Sequence, residues 1–131
     1  NGITGFVVGE SSEKSPSDFL SNKDVLVYGD KIVLKIENAQ LKNYDSTGSM
    51  LPTLDESVNG ITIKPNSENE ISVGDIISFR LGEDVIVHRI IDKGVDEFGT
   101  FFITKGDNSL VADSEKVRFE EIEGVVVGLL Y

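Results

Sequence analysis

Three kinds of side chain that together can perform acyl transfer stand in this chain at short, defined spacings. They are a serine in a glycine-containing turn, a single histidine in an apolar run, and two aspartates six residues apart. Ser49 lies in Asp45-Ser46-Thr47-Gly48-Ser49-Met50-Leu51-Pro52-Thr53. A nucleophilic serine needs an exposed hydroxyl at the end of a rigid element, with backbone N–H groups near the developing oxyanion. Gly48 has no Cβ and permits close approach, and Pro52 resists a helix through the segment. The same stretch also fits a polar turn whose serine bonds its own backbone.

His88 lies in Val85-Ile86-Val87-His88-Arg89-Ile90-Ile91. It is the only histidine, and imidazole can accept a serine proton near neutral pH. A half-buried structural histidine is the competing reading. Asp107, in Gly106-Asp107-Asn108, and Asp113 are candidates for the carboxylate that orients such an imidazole. A turn aspartate is the competing reading for Asp107, and plain surface charge for Asp113.

The elements that must carry these residues read as strands. Val25-Leu26-Val27-Tyr28 and Ile32-Val33-Leu34-Lys35-Ile36 flank Gly29-Asp30, a hairpin pattern. Residues 41–45 are a candidate strand into the serine stretch. Asn59-Gly60 is a turn signal, with strand alternation in Ile61-Thr62-Ile63 after it. Residues 75–80 and 85–91 predict two strands about the turn 81–84, and residues 92–99 a polar connection. Thr100 to Thr104 predicts a strand, 116–119 a short one and 124–130 a buried last one. In the strand bearing the histidine, Ile86, His88 and Ile90 share one face, while Val87, Arg89 and Ile91 share the other. Toward the start, Phe6-Val7-Val8 is a short apolar run, residues 10–17 read as a loop, and Ser15-Pro16 predicts one helical turn through Leu20. Residues 65–70 are a polar loop. Frequent β-branched residues and nearly absent helix periodicity make this a mostly-β chain with little helix.

The 131 residues suffice for one domain with a sizeable core. With no cysteine and one histidine, neither a disulfide framework nor a thiolate or histidine-rich metal cluster is expected. Asp107, Asn108 and Asp113 lack the spacing and glycine of a calcium loop, so no metal and no cofactor is expected. The formal net charge of −11 speaks against a nucleic-acid partner. It also gives little attraction to anionic lipid headgroups. No segment reaches the ~18 apolar residues of a membrane span.

The order of short stretches resembles the type I signal peptidases. These are the serine stretch, then Gly74-Asp75-Ile76-Ile77-Ser78-Phe79, then the strand with His88-Arg89, then Lys105-Gly106-Asp107-Asn108 and Asp113. The His-Arg pair looks like the archaeal and endoplasmic-reticulum branch, which uses histidine where most bacterial enzymes use lysine. The resemblance covers residues 45–131. It implies a single signal-peptidase-like catalytic β-domain over residues 41–131, with residues 1–40 a segment of loop and hairpin packed on it or part of it. It implies a serine endopeptidase with Ser49 as nucleophile, His88 as general base, and Asp113 and Asp107 as supporting carboxylates. Asp113 is expected nearer the imidazole, and Asp107 is expected to hold its turn. The oxyanion donors would be the Ser49 N–H and the Thr47 hydroxyl, where the family often has serine. Lys105 precedes the Gly-Asp-Asn stretch rather than occupying the base position, and reads as structural or solvent-facing.

The resemblance further implies an extended substrate beside Asp45, Ser46, Gly48 and beside Val85, Ile86, Val87. Met50 would line a shallow pocket for small side chains. The implied partners are the signal peptides of exported preproteins, a membrane reached through an anchor outside this sequence, and accessory subunits of unknown kind, with the catalytic domain on the extracytoplasmic side. Two other readings share the pattern. One is a self-cleaving repressor-type protease domain, disfavoured by histidine at the base position and by the lack of a basic helical N-terminus. The other is a non-enzymatic β-domain that binds peptides or partner subunits.

Overall fold

The computed structural model describes residues 14–131. The expected apolar run at Phe6 and the first part of the 10–17 loop lie outside them. Eight strands follow in order: β1 Val25–Val27, β2 Ile32–Leu34, β3 Gln40–Lys42, β4 Asn59–Ile63, β5 Ile76–Leu81, β6 Asp84–Asp96, β7 Gly99–Lys105 and β8 Ile122–Leu130. Among the described residues only short 3-10 turns accompany them, at Asn22–Asp24, Glu68–Glu70 and Phe119–Glu121. The fold is thus a small domain dominated by antiparallel sheet with little helix.

β1 and β2 form the expected hairpin as a two-stranded sheet. The other six strands form one sheet in the order β3-β4-β8-β5-β6-β7, antiparallel throughout. The last strand therefore sits in the middle, which suits its run of valines. The sheet buries side chains on both faces. Ile77 and Phe79 of β5, Ile90 of β6, Phe102 of β7 and Val125 of β8 cluster on the first face with Ile71, Val117 and Ile122. Ile76 of β5 and Val126 of β8 pack on the second face against Met50, Leu54 and Val58. Neighbours in sequence alternate between clusters as a pleated strand requires. The serine stretch is thereby anchored to the second face through Met50, which is only 2% exposed.

The ladders slip register between Ile61 and Thr62, between Ser78 and Phe79, and between Ile90 and Asp92. Such bulges bend and twist a sheet. Side chains of β3 and the start of β6 accordingly line one shared groove.

Several sequence expectations are corrected. Residues 15–20 form no helical turn; the 3-10 turn comes later, at Asn22–Asp24. The strand before the serine is Gln40–Lys42, ending earlier than 45. Residues 92–99 are not a loop: β6 runs to Asp96, and β7 starts at Gly99. Their polar side chains have partners that suit a strand. The Lys93 ammonium donates to the Glu68 and Ile71 carbonyls, and Asp96 accepts from Lys116 and Arg118. Residues 116–119 supply one bridge, Val117 to Phe102, rather than a strand.

Asn59-Gly60 is not a turn either. Gly60 lies inside β4, opposite Lys42 and Leu129. A Cβ there would stand 1.7 Å from the Tyr44 hydroxyl oxygen. The glycine is needed for ring clearance, not for a left-handed backbone. That phenol is buried without a hydrogen-bond partner, and burial pushes its pKa up. Gly60→Ala should expel the Tyr44 ring and destabilise the fold by about 1–3 kcal/mol, the usual cost of overpacking. Gly128→Ala, whose new Cβ would meet Ile61 at an ordinary 3.5 Å, should be tolerated. Urea unfolding of the two variants side by side checks this.

Candidate active site

Ser49 stands in a run of turns over residues 49–53 that follows β3. Gly48 enters it at φ +74°, and a Cβ there would meet only Leu51, at 3.6 Å. Its requirement is therefore the left-handed backbone, not the close approach expected from its lack of a side chain. The turn is closed by the Leu51 N–H to the Gly48 carbonyl and the Thr53 N–H to the Met50 carbonyl.

The loop of residues 106–109, between β7 and Asp113, grips this turn. Asn108 donates its backbone N–H to the Ser49 carbonyl at 2.9 Å and its side-chain amide to the Gly48 carbonyl at 3.0 Å. The Asp107 N–H points at Met50 Sδ, and the Thr53 hydroxyl donates to the Asp107 carboxylate at 2.5 Å. Lys105 ties the loop to itself through the Gly106 and Ser109 carbonyls, which is a structural role. At Gly106 close approach is the governing need. A Cβ there would stand 2.6 Å from the Ser49 carbonyl oxygen and 3.1 Å from His88 Nε2. Backbone of the serine turn and the distal imidazole nitrogen thus converge on one glycine.

His88 and Arg89 are neighbours on β6, and pleating sends them to opposite faces. His88 lies opposite Ile77 of β5 and meets the Phe79 ring edge-on at 6.5 Å. Its Nδ1 is 2.6 Å from Asp113 Oδ2, which also accepts from the Thr104 hydroxyl at 2.7 Å. The Asp113 N–H bonds the Thr104 carbonyl, so β7 fixes both the backbone and the carboxylate of Asp113. Arg89 makes a two-pronged pair with Asp107, both bonds 2.8 Å. Its remaining nitrogen donates to the Gly74 and Lys14 carbonyls. The two aspartates therefore serve different partners: Asp113 meets the imidazole and Asp107 the guanidinium.

Ser49 Oγ lies 3.1 Å from Thr47 Oγ1, and the Ser49 N–H is directed at the same oxygen at 3.3 Å. The hydroxyl's hydrogen bond goes to Thr47 rather than to His88. The two expected oxyanion donors engage one another here. Ser49 and His88 line one cavity of about 340 Å³, with Asp45, Thr47, Gly48, Met50, Val85, Ile86 and Val87. Ser46 is not among its lining residues. Residues 84–88 pair with β5 alone among the described strands, because the ladder to β7 begins at Arg89. One edge of that stretch is open.

Arg89, Thr104, Asn108 and Thr53 were not singled out as site residues from the sequence. Only Arg89 carried a signal: an arginine inside an apolar strand requires a carboxylate partner. The others depend on which loops meet. No family model, no curated protein and no solved structure matches this chain.

Side chains of the Arg89–Asp107 pair are 10% and 6% exposed. Breaking such a buried pair by removing one partner costs about 3–5 kcal/mol, and Asp107→Asn should lose that much in urea unfolding at neutral pH. Burial raises the Asp107 carboxyl, but the bonds from Arg89 and Thr53 outweigh it and hold the pKa below its ordinary value. A carboxylate depressed by folding adds stability above its unfolded value of ~3.9. That contribution disappears as pH falls through the folded value. The gap between wild type and Asp107→Asn should therefore narrow below about pH 4. A gap independent of pH would rule out the charge as its origin.

Proposed function

We propose that the chain is a serine endopeptidase of the signal-peptidase type, cleaving exported preproteins after small residues. The observation that carries the reading is the set of contacts around one imidazole. His88 Nδ1 is held by Asp113, while Nε2 comes within reach of Gly106, on which the serine turn also closes. A carboxylate on Nδ1 fixes the tautomer with a free Nε2 lone pair and stabilises the imidazolium that follows. The open edge of residues 84–88 supports the substrate mode, since an extended peptide can add to it as a strand. Met50, Ile86 and Leu54 give the adjoining cavity an apolar lining suited to a small side chain.

The chemistry follows from these roles. Ser49 Oγ leaves Thr47, gives its proton to His88 Nε2 and bonds to the scissile carbonyl carbon. The carbonyl oxygen becomes an oxyanion, which the Ser49 N–H and the Thr47 hydroxyl take up once they release one another. Collapse expels the amine, which carries off the proton held by His88 and leaves an acyl-Ser49. Water, deprotonated by the same imidazole, then frees the carboxylate and restores Ser49. Asp107 and Arg89 hold the serine turn and touch no reacting atom. The extracytoplasmic setting and membrane anchor belong to this proposal through the family resemblance. Among the described residues no helix is long and apolar enough to cross a membrane.

Ser49→Ala and His88→Ala should each abolish cleavage of an alanine-containing preprotein peptide, and the double variant should be no worse than either. Losses that multiply would separate the two residues. Labelling by a fluorophosphonate, lost in Ser49→Ala, distinguishes an enzyme from a β-domain that only binds peptides. Asp113→Asn should keep wild-type unfolding while turnover falls about 10³- to 10⁴-fold, the scale of a wrong imidazole tautomer.

A further inference from the structure

Thr104 of β7 stands where strand alternation calls for an apolar side chain. Phe102, two residues earlier on the same face, belongs to the buried cluster, and Ile90 of that cluster lies opposite Thr104 across the ladder to β6. Thr104 itself is 0% exposed. Valine has nearly the same outline and no polar atom. A threonine here therefore carries the cost of a buried hydroxyl unless that hydroxyl is bonded. The bond it makes is to Asp113 Oδ2, at 2.7 Å.

Asp113 needs such a hold. Its side chain is 31% exposed, and Leu110 and Val111, which lead to it, are exposed as well. Packing on that stretch does little to fix the carboxylate. The Asp113 N–H bond to the Thr104 carbonyl sets the backbone but not the side chain. Among the described residues the partners of the carboxylate are His88 Nδ1 and the Thr104 hydroxyl, and both meet Oδ2. The last torsion of an aspartate is soft, so a half-exposed carboxylate with one partner can turn to water. Oδ2 offers two lone pairs. With one taken from inside the sheet by the hydroxyl, the other is left to Nδ1.

We propose that Thr104 is a positioning residue for His88, acting through Asp113. Its buried hydroxyl fixes the carboxylate, so that the imidazole keeps its proton on Nδ1 and its lone pair on Nε2, on the side of Gly106. The inference rests on the protease reading for the use made of that lone pair. Thr104 does not line the cavity that holds Ser49 and touches no reacting atom. Its loss should be felt in turnover and not in substrate affinity.

Two pairs of proteins isolate the hydroxyl: wild type against Thr104→Val, and Thr104→Ser against Thr104→Ala. The second pair decides the matter if the valine variant does not fold. His88 is the only histidine, so its ring ¹⁵N signals need no assignment. They are recorded on Ser49→Ala protein at a pH where the ring is neutral. Proteins with the hydroxyl should show one tautomer, protonated on Nδ1, and those without it a mixture. With Ser49 intact, kcat on an alanine-containing preprotein peptide should fall about 10- to 100-fold when the hydroxyl is lost, the range of a hydrogen bond to a charged group. KM should be unchanged, and Thr104→Ser should behave as wild type. In an Asp113→Asn background, Thr104→Val should cost no further turnover, because the hydroxyl acts only through the carboxylate. A tautomer and a kcat that ignore the hydroxyl would overturn the role, even if urea unfolding showed a loss of stability. A hydroxyl-dependent tautomer without cleavage by the wild-type protein would uphold the hold of Thr104 on His88 and remove the protease reading instead.

Discussion

The pairing of Arg89 with Asp107 is the constraint on which the candidate site depends. One guanidinium gathers a carboxylate from the loop after β7 and carbonyls from Gly74 and Lys14. The same carboxylate takes the Thr53 hydroxyl, so the end of the serine turn is bound to the middle of β6. Arginine suits this place because its planar fork meets a carboxylate through two parallel bonds and has donors to spare. A lysine would offer one charge centre and lose the geometry. Buried ion pairs are weak sources of net stability, so the value of this one lies in holding three segments in one arrangement.

Pleating then divides the labour of the two acidic residues. His88 and Arg89 are adjacent, and a strand turns adjacent side chains to opposite faces. Asp113 reaches the imidazole over the first face, supported by Thr104. Asp107 reaches the guanidinium on the other, where Met50 anchors the serine turn. A one-residue slip of β6 would exchange the partners and put a guanidinium where the imidazole stands. Register is held by Ile76, Ile77, Phe79 and Ile90, all nearly fully buried.

Much of this was legible in the sequence, for reasons that differ by residue. Alternation around His88 placed Ile90 on the imidazole's face and Arg89 on the other, because period-2 burial is a local property. The spacing of Asp113 from Asp107 left room for a second direction of approach, and the structure has Asp113 at the ring. Asn59-Gly60 misled because turn statistics describe the dipeptide alone, whereas its glycine answers to Tyr44, sixteen positions earlier in sequence. Polar residues 92–96 misled in the same way: Lys93 and Asp96 find partners from Glu68 to Arg118 that composition does not reveal. Grip of the serine turn by Asn108 was equally invisible, since it joins segments about sixty residues apart.

The unpaired edge of residues 84–88 has a consequence for how copies of this chain behave toward one another. A bare row of amides and carbonyls accepts any extended chain, and an identical edge from a neighbour is the nearest such chain in concentrated solution. Shortness is one defence, since β7 covers β6 from Arg89 onward and leaves only residues 84–88 bare, too little for a lasting sheet between molecules. Charge is another. Asp84 heads the bare stretch, and at −11 per chain two copies repel before their edges align. The acidic surface thus keeps the groove vacant for chains of other composition.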